Sequence, residues 1–378
     1  MIFLTPDLDP ASKDVLTRLD ELRARLRLYL REPTRWIGSL RRNILARSLR
    51  GSNTIEGYNV TVDDAIAAVD GEAPLDADEA TWLEILGYRQ AMTYVLQLAR
   101  DPSFRHSADH IKGLHYMLLS HDLPHSPGQW RPGYIAVKVE STGQIVYEGP
   151  DAAAVPELME AFVRSLNEES DAHPIIRAAM AHLNLTMIHP FRDGNGRMAR
   201  CVQTLVLGRD GILAPEFSSI EEYLGKNTQD YYDVLAAVGG GSWHPKNDTA
   251  PWLRFCLTAH FRQATTLLFR VERIKRLWDA LETHINERDL PSRAIFALSD
   301  AALGYRVRNP LYRKAAEITT NLASRDLRQM VRAGFLIPKG EKKGRYYIAS
   351  DWVRDIALVS DRQKKLIADP FEQLSLGR

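Results

Sequence analysis

Cysteine is nearly absent: the 378 residues include two, Cys201 and Cys256. That is too few for a disulfide framework or a cysteine-built zinc site, so any metal must be held by oxygen or histidine, and the usage fits a reducing compartment. Long apolar runs are missing as well. No stretch approaches the roughly 18 consecutive apolar residues of a membrane-spanning helix, and the start, MIFLTPDLDPASKD, has neither the basic region nor the apolar core of a secretion signal. A cytoplasmic location is the expectation, with no membrane partner. Net charge is close to zero, 49 basic residues against 48 acidic, which excludes a chain that grips polyanions over its whole surface. No internal repeat or low-complexity tract stands out. What remains, 45 % hydrophobic and 26 % charged, is ordinary globular usage, and the length predicts two or three domains at roughly 100 to 200 residues each.

The near-neutrality is an average of two unlike parts. From Pro291 to the end there are 17 basic and 9 acidic residues, a net of +8, which leaves −7 on the first 290. Those first 290 residues are mostly helical in pattern. Val15, Leu19, Leu22, Leu26 and Tyr29 recur every three or four positions with charges between them, the mark of an amphipathic helix. Pro33 and Gly38 interrupt it. A further helix is predicted over 37–49, ending at Gly51 in a left-handed cap, with a new segment starting at Ser52. Later helices are predicted over 80–99, 107–119, 155–168 and 173–188, the last with Ile176, Ala179, Leu183 and Met187 as its apolar face. The fold class is mainly α. One β signal interrupts it between Tyr134 and Tyr147, where Ile135, Val137 and Val139 alternate with polar residues. Ser141-Thr142-Gly143-Gln144 then supplies a turn before Ile145-Val146-Tyr147. A lone hairpin is marginal by itself, so it must lean on the helices or bind something along its edge.

The most informative run is His189-Pro190-Phe191-Arg192-Asp193-Gly194-Asn195-Gly196-Arg197-Met198-Ala199-Arg200. Pro190 disfavours helical geometry at His189, so one helix should stop there and another begin near Asn195. Gly194 and Gly196 allow close approach and unusual dihedrals, which lets successive N–H groups face an anion at the positive end of the helix dipole. Arg197 and Arg200, three apart, lie on one face of the first turn and can offer two planar donor forks to the same anion. Asp193 is an oxygen ligand of the kind a phosphate-bridging Mg²⁺ takes. A neutral His189 facing a bound phosphate can accept a proton from an incoming hydroxyl. Singly these residues are ordinary: a histidine before proline ends a helix, Gly-Asn-Gly makes a turn, and arginine pairs are solvated. A base, a carboxylate, a glycine nest and two arginines within twelve residues together point to phosphoryl or nucleotidyl transfer.

The same run resembles the signature of the Fic family, HPFx(D/E)GNGRxxR, at every fixed position. The resemblance implies a helical Fic core over about 108–240, preceded by an N-terminal helical region (1–107). It also implies transfer of AMP from ATP to a protein hydroxyl. By position, His189 would be the general base, Phe191 a buried anchor and Asp193 the Mg²⁺ ligand. Gly194, Asn195 and Gly196 would form the α-phosphate nest, with Met198 and Ala199 in the same turn, and Arg197 and Arg200 would hold the β- and γ-phosphates. The stretch Tyr223-Leu224-Gly225-Lys226-Asn227-Thr228-Gln229-Asp230-Tyr231-Tyr232 is similar to the family's helix beside the nucleotide, with Thr228 where an arginine is usual. Asn227 is the expected contact for base or ribose.

Ser52-Asn53-Thr54-Ile55-Glu56-Gly57 resembles the family's inhibitory motif, (S/T)xxxE(G/N). A glutamate reaching the nest would pair with Arg200 and deny that site to the triphosphate, leaving the enzyme off at rest. Taken alone, Ser52 with Glu56 would be a helix cap. The 134–147 hairpin corresponds to the family's flap, along which a target segment bearing a Ser, Thr or Tyr hydroxyl would add as a strand. After connecting helices over 241–290, the 291–378 part shows three helical stretches, 291–303, 311–318 and 321–333. Leu336-Ile337-Pro338 and Arg345-Tyr346-Tyr347-Ile348 then flank a basic turn. This looks like a winged helix, in which Arg325, Arg328 and Arg332 share one face of the third helix and Lys342, Lys343 and Arg345 could touch phosphates. Two functions follow as expectations. One is an ATP- and Mg²⁺-dependent protein adenylyltransferase that also modifies itself. The other is a nucleotide-sensing, DNA-bound regulator. Removal of AMP, or transfer of another phosphate-containing group, is an alternative within the first class, and a second copy of the chain is a further candidate partner.

Overall fold

The computed structural model describes residues 1–31, 34–139, 142–209, 211, 213–341, 344–360 and 367–372. Predicted features at Pro33, Ser141, Lys342 and Lys343 therefore lie outside the described residues. In chain order the first helices are α1 (Pro10–Arg31), α2 (Ile37–Ile55), α3 (Val62–Asp70), α4 (Glu79–Leu98) and α5 (Ala108–Leu119). A hairpin of β1 (Ala136–Lys138) and β2 (Ile145–Glu148) follows, then α6 (Val155–Asn167), α7 (Pro174–Ile188), α8 (Asn195–Arg209), α9 (Glu221–Lys226) and α10 (Thr228–Gly239). After β3 (Gly241–Ser242) the chain runs through α11 (Ala250–Glu287), α12 (Ala294–Ala302), α13 (Asn309–Ala315) and α14 (Thr320–Arg332). It finishes the described elements with β4 (Leu336–Lys339), β5 (Tyr346–Ala349) and α15 (Asp351–Ser360). The mainly α class read from periodicity holds.

The centre is the α7–α8 pair. Both helices are buried on almost every side, Ile176, Ala179, Leu183 and Met187 on α7 facing Cys201, Val202 and Leu205 in one core. A helix apolar all round belongs inside, and this one stays there because its neighbours also satisfy its polar groups. The Trp252 indole N–H, for example, donates to Ala179 O (2.8 Å). The 38-residue α11 spans two cores: Trp252 to Phe261 join the α7–α8 cluster, and Ala264 to Ile285 join a second one shared with α12, α14 and α15. That second core also takes Leu26, Trp36, Leu40 and Ile44 from α1, α2 and the loop between them. Charged contacts fasten the same seam, Arg42 on α2 to both oxygens of Asp300 (2.5 Å each) and Arg47 Nη2 to Tyr305 Oη (2.8 Å).

Two expectations from the sequence need correction. The helix expected to end at Gly51 runs on to Ile55 without a break. Gly51 is there for contact: a Cβ on it would lie 2.3 Å from Glu221 O, and one on Gly225 would lie 2.7 Å from Gly51 Cα. Two glycines face each other where α2 crosses α9, so no cap is needed and the helix carries Ser52 forward. The hairpin is also not lone. β1 and β2 are antiparallel, with Val137 opposite Tyr147, and β3 pairs in parallel on the far side of β2. A two-residue strand has no alternation to read. The hairpin turn itself is as expected at Gly143, whose φ of +69° suits glycine. The short α3, capped by the Thr61 side chain and by left-handed Gly71, and the last helix α15 were not singled out by pattern. Among the described residues no helix is long and apolar enough to cross a membrane.

Candidate active site

His189 is the C-cap of α7, with φ 50° and ψ 58° in the left-handed region. Pro190 excludes the helical alternative, so the strain is imposed by sequence and held by contacts. Arg131 supplies several of them. Its backbone N–H donates to Pro190 O (2.8 Å), its Nε to His189 O (2.8 Å), and its Nη groups to Gly133 O (2.6 Å) and Pro150 O (2.5 Å). One guanidinium thus ties the His189–Pro190 backbone to both feet of the β1–β2 hairpin. The His189 Nδ1 lies 3.0 Å from Thr186 O. A carbonyl only accepts, so Nδ1 carries the proton and Nε2 keeps its lone pair. Burial pushes the imidazole below its ordinary pKa, which the Thr186 hydrogen bond opposes without reversing. At neutral pH His189 is a neutral base.

The loop after it is braced from two directions. Phe191 is fully buried and stacks on His115, with ring centroids 3.6 Å apart. His115 Nδ1 accepts from Gly128 N–H (2.8 Å), which leaves its Nε2–H to donate to Asp193 O (3.0 Å). Burial lowers the His115 pKa to about 4, so this tautomer persists at neutral pH. Asn195 closes the loop on itself, its Oδ1 accepting from Phe191 N–H and its Nδ2 donating to Phe191 O, both at 2.9 Å. Its side chain is therefore a brace, and only its main chain is placed to meet an anion. Met198 and Ala199, expected to bind the nucleotide, are fully buried, and the Met198 N–H is spent on Gly194 O (2.9 Å), so their part is to pack the first turns of α8 rather than to present groups to an anion. Gly194 has φ +73° and α8 starts at Asn195, as the sequence predicts. The N–H groups of Asn195, Gly196 and Arg197 then have no acceptor within the helix and sit at its positive end.

Both arginines are almost fully buried and engaged by carboxylates. Arg200 Nε donates to Ser52 Oγ (2.7 Å), and its Nη2 donates to Ser52 O (3.2 Å) and Glu56 Oε1 (2.6 Å). Burial opposes the guanidinium charge, but Glu56, with Tyr231 and Tyr88, outweighs it and raises the Arg200 pKa. Glu56 caps the C-terminus of α2, the negative end of a helix, where a carboxylate is unfavourable unless compensated. Arg200 and the N-terminus of α8 compensate it. A Cβ at Gly196 would come 2.8 Å from Glu56 Oε1 and 3.2 Å from Arg200 Nη1, so the carboxylate rests directly over the glycine nest. Arg200 Nη1 is buried beside that nest with no hydrogen-bond partner. An unpaired buried donor of a cation is costly, and an anion in the nest would satisfy it. Arg197 pairs with Glu84 of α4 through Nη1 and with Asp193 through Nη2 (3.2 Å).

Asp193 is the most exposed of these carboxylates, its side chain 40 % accessible. Among the described residues no three His, Cys, Asp or Glu side chains gather as a metal cage. A single accessible carboxylate beside an anion nest does fit a magnesium ion that takes its other ligands from phosphates and water. Asn227 lies at the α9–α10 corner and its Nδ2 donates to Tyr223 O (2.7 Å), a local bond that serves the corner. Tyr231 is core, bonded to His182 Nε2 (2.9 Å), whereas the half-exposed Tyr232 donates to Ile55 O (2.8 Å) and steadies the residue before Glu56.

Glu84, His115, Arg131 and Tyr232 were missed in the sequence. For the first two a signal existed. Glu84 falls in the stripe Thr81, Tyr88, Ala91 and Val95, and His115 beside Ile111, Leu114 and Leu118, so each is a polar residue on a buried face. Behind Arg200, Glu221 accepts from Tyr88 Oη (2.8 Å), and burial lifts its pKa to about 7. A carboxyl raised in the folded state stabilises below its unfolded pKa and loses that contribution as pH rises through the folded value. Stability should therefore fall by about 3 kcal/mol between roughly pH 4.5 and pH 7 from this group. Glu221→Gln should flatten that slope, measured as denaturation midpoints across the range, and an unchanged slope would show that Glu221 titrates normally.

Comparison with known proteins agrees with this geometry. Residues 105–207 match the family described as Fic/DOC. The chain is 28 % identical over 248 residues to a protein adenylyltransferase Fic of Nematostella vectensis, covering 61 % of this chain and 52 % of that one. It is 31 % identical over 209 residues to the protein of the same name from Drosophila ananassae, covering 53 % and 37 %. The chain thus spans about half or less of the curated relatives it matches. Among solved structures, a Fic family protein from Desulfovibrio desulfuricans aligns over 92 % of this chain and 98 % of its own at TM-score 0.58 and 21 % identity. A fragment of Fic-1 from C. elegans aligns over 68 % and 72 % at TM-score 0.55 and 23 % identity. The fold is the Fic fold.

Proposed function

We propose that this Fic-type core transfers the adenylyl group of ATP to a Ser, Thr or Tyr hydroxyl of a protein, itself included, and that Glu56 holds it off at rest. The observation that carries the reading is the pairing of a free His189 Nε2 lone pair with an adjacent helix N-terminus and two buried arginines. His189 takes the hydroxyl proton as the oxygen attacks the α-phosphorus, the bond to the bridging oxygen of the β-phosphate breaks, and pyrophosphate leaves. The α8 N–H groups receive charge developing on the α-phosphate, and Arg197 and Arg200 receive charge on the leaving group. A magnesium ion held by Asp193 would neutralise charge shared between phosphates. Asn227 stays a proposed base or ribose contact, through the oxygen its corner bond leaves free.

The target would dock on β1. Of the hairpin's own two edges, the one on β2 is occupied by β3, which leaves the Ala136–Lys138 edge of β1 for an added strand among the described residues. Main-chain pairing is largely indifferent to side chains, which accounts for a target the sequence does not specify. Incubation with ATP labelled at the α-phosphorus tests the class. Covalent label on protein is expected, and label only from the γ-position, or none with any hydroxyl-bearing substrate, would replace AMP transfer with another chemistry.

A second function, DNA binding, is favoured by one observation: Arg325, Arg328 and Arg332 are all exposed on one face of α14, next to the β4–β5 hairpin that carries exposed Lys339 and Arg345. A helix-and-hairpin unit of this order resembles a winged helix, and its cations would meet phosphates and base edges. A salt-dependent shift of duplex DNA mobility is expected, weakened about tenfold or more in Arg325→Ala with Arg328→Ala. No shift at low salt would remove DNA from the account.

A further inference from the structure

We propose that Glu84 is a positioning residue of the nucleotide site: it holds one edge of the Arg197 guanidinium in the N-terminal helical layer so that the other edge faces the anion nest. The role rests on the transfer proposed above, because it assigns Arg197 to phosphates beyond the first. Glu84 lies inside α4, its side chain 8 % exposed, against an Arg197 side chain 1 % exposed. Its Oε2 meets Arg197 Nη1. Its Oε1 accepts from Tyr58 Oη (2.9 Å) and lies 3.1 Å from His121 Nε2. The Tyr58 ring in turn lies 5.9 Å from the Arg197 guanidinium. Burial alone would favour the neutral acid, but Arg197, with His121 and Tyr58, outweighs it and holds the Glu84 carboxyl below its ordinary pKa.

The contrast with Glu56 decides between a support and a second brake. Glu56 stands at a helix end, is 21 % exposed and accepts one hydrogen bond from a cation, so it can leave into water. Glu84 is in a helix interior with both oxygens engaged. Its departure would strand a buried arginine and a buried carboxylate at once, which is far costlier than opening an exposed pair. Arg197 does have a partner that can let go. Asp193 contacts its Nη2 at 3.2 Å from an accessible position and is also the carboxylate suited to magnesium. Exchange of Asp193 for a phosphate oxygen would leave the Glu84 edge untouched and turn the Nη2 edge to the nucleotide. The fixed fork then reads a second phosphate with its orientation already set. Nothing in the local sequence around Arg197 announces this partner, 113 residues away.

The test uses the full chain carrying Glu56→Gly, so that Arg200 is open, with and without Glu84→Gln. Glutamine keeps the shape and one acceptor but not the charge. Affinity for ATP and for AMP, each with magnesium, is measured by calorimetry alongside the melting temperature. Glu84→Gln should weaken ATP about 10- to 100-fold while AMP changes about twofold or less, because only ATP reaches Arg197. Equal losses for both nucleotides would mean a merely structural residue, and tighter ATP binding would mean a second brake. Either overturns the proposal. Should Glu84→Gln fail to fold, Tyr58→Phe removes one hydrogen bond to Glu84 and leaves Arg197 intact. A selective loss of about two- to fivefold for ATP is expected, and no selective loss overturns the role. Absence of ATP binding by the Glu56→Gly parent would overturn the assignment of the site itself, and this role with it.

Discussion

Glu56→Gly should raise AMP transfer by about 10- to 150-fold over the unmodified chain, the gain expected from releasing one part-buried charge-assisted hydrogen bond worth roughly 1.5 to 3 kcal/mol. The carboxylate sits over Gly196, within 2.6 Å of Arg200 Nη2, in the space an incoming phosphate oxygen would need. Because Glu56 Oε1 occupies the space over Gly196 beside Arg200 Nη1, ATP must displace Glu56 or bind in a pose that leaves Arg200 unused. Glycine removes the competitor and leaves the end of α2 in place, since Glu56 already lies outside the helix as its C-cap. Arg200 keeps its two bonds to Ser52. The gain should therefore come without loss of the melting transition. Measured as label transferred from α-labelled ATP per unit time, an unchanged rate would remove the brake from the account.

His189→Ala should lower transfer by about 10²- to 10⁴-fold while ATP binding stays within about threefold, and the Glu56→Gly chain is the parent in which this is best read. The separation follows from what the imidazole touches. Its Nδ1 is occupied by Thr186 O, which leaves Nε2 to act as the proposed base, while the proposed anion-binding groups all lie on α8 and its preceding turn. The left-handed backbone at position 189 is held by Arg131 and by Pro190, so an alanine there keeps the loop path at a modest cost in strain. The pH profile gives a second handle. Because burial lowers the histidine pKa, the neutral base is populated below the usual titration range, and the acid limb of the rate should lie under pH 6.5. Full activity in the alanine variant would assign the proton to another acceptor.

The 189–200 loop was legible because its information is local. Pro190 stops one helix, Gly194 permits a positive φ, and Asn195 starts the next helix, so the sequence alone places a histidine, a glycine turn at a helix start and two arginines in order. Glu56 was legible for the same reason, through a short motif with fixed spacing. What escaped depends on distant partners. Gly51 reads as a cap until Gly225 is brought against it, and only the α2–α9 crossing explains why the helix continues to Glu56. Glu84 reads as a charge on an amphipathic helix until Arg197 is buried beside it. Arg131 sits in no pattern at all, yet it joins His189 to the hairpin along which a target would lie. β3 is too short to announce itself, and it nonetheless decides which edge of the flap stays open.

Crystals of the Glu56→Gly chain soaked with ATP and magnesium give the most direct measurement. The triphosphate should lie along Gly194 to Arg200, the α-phosphate on the first N–H groups of α8 and Arg200 Nη1 newly paired. Nucleotide density elsewhere, with that turn bare, would contradict the assignment of the site from which every other expectation is drawn.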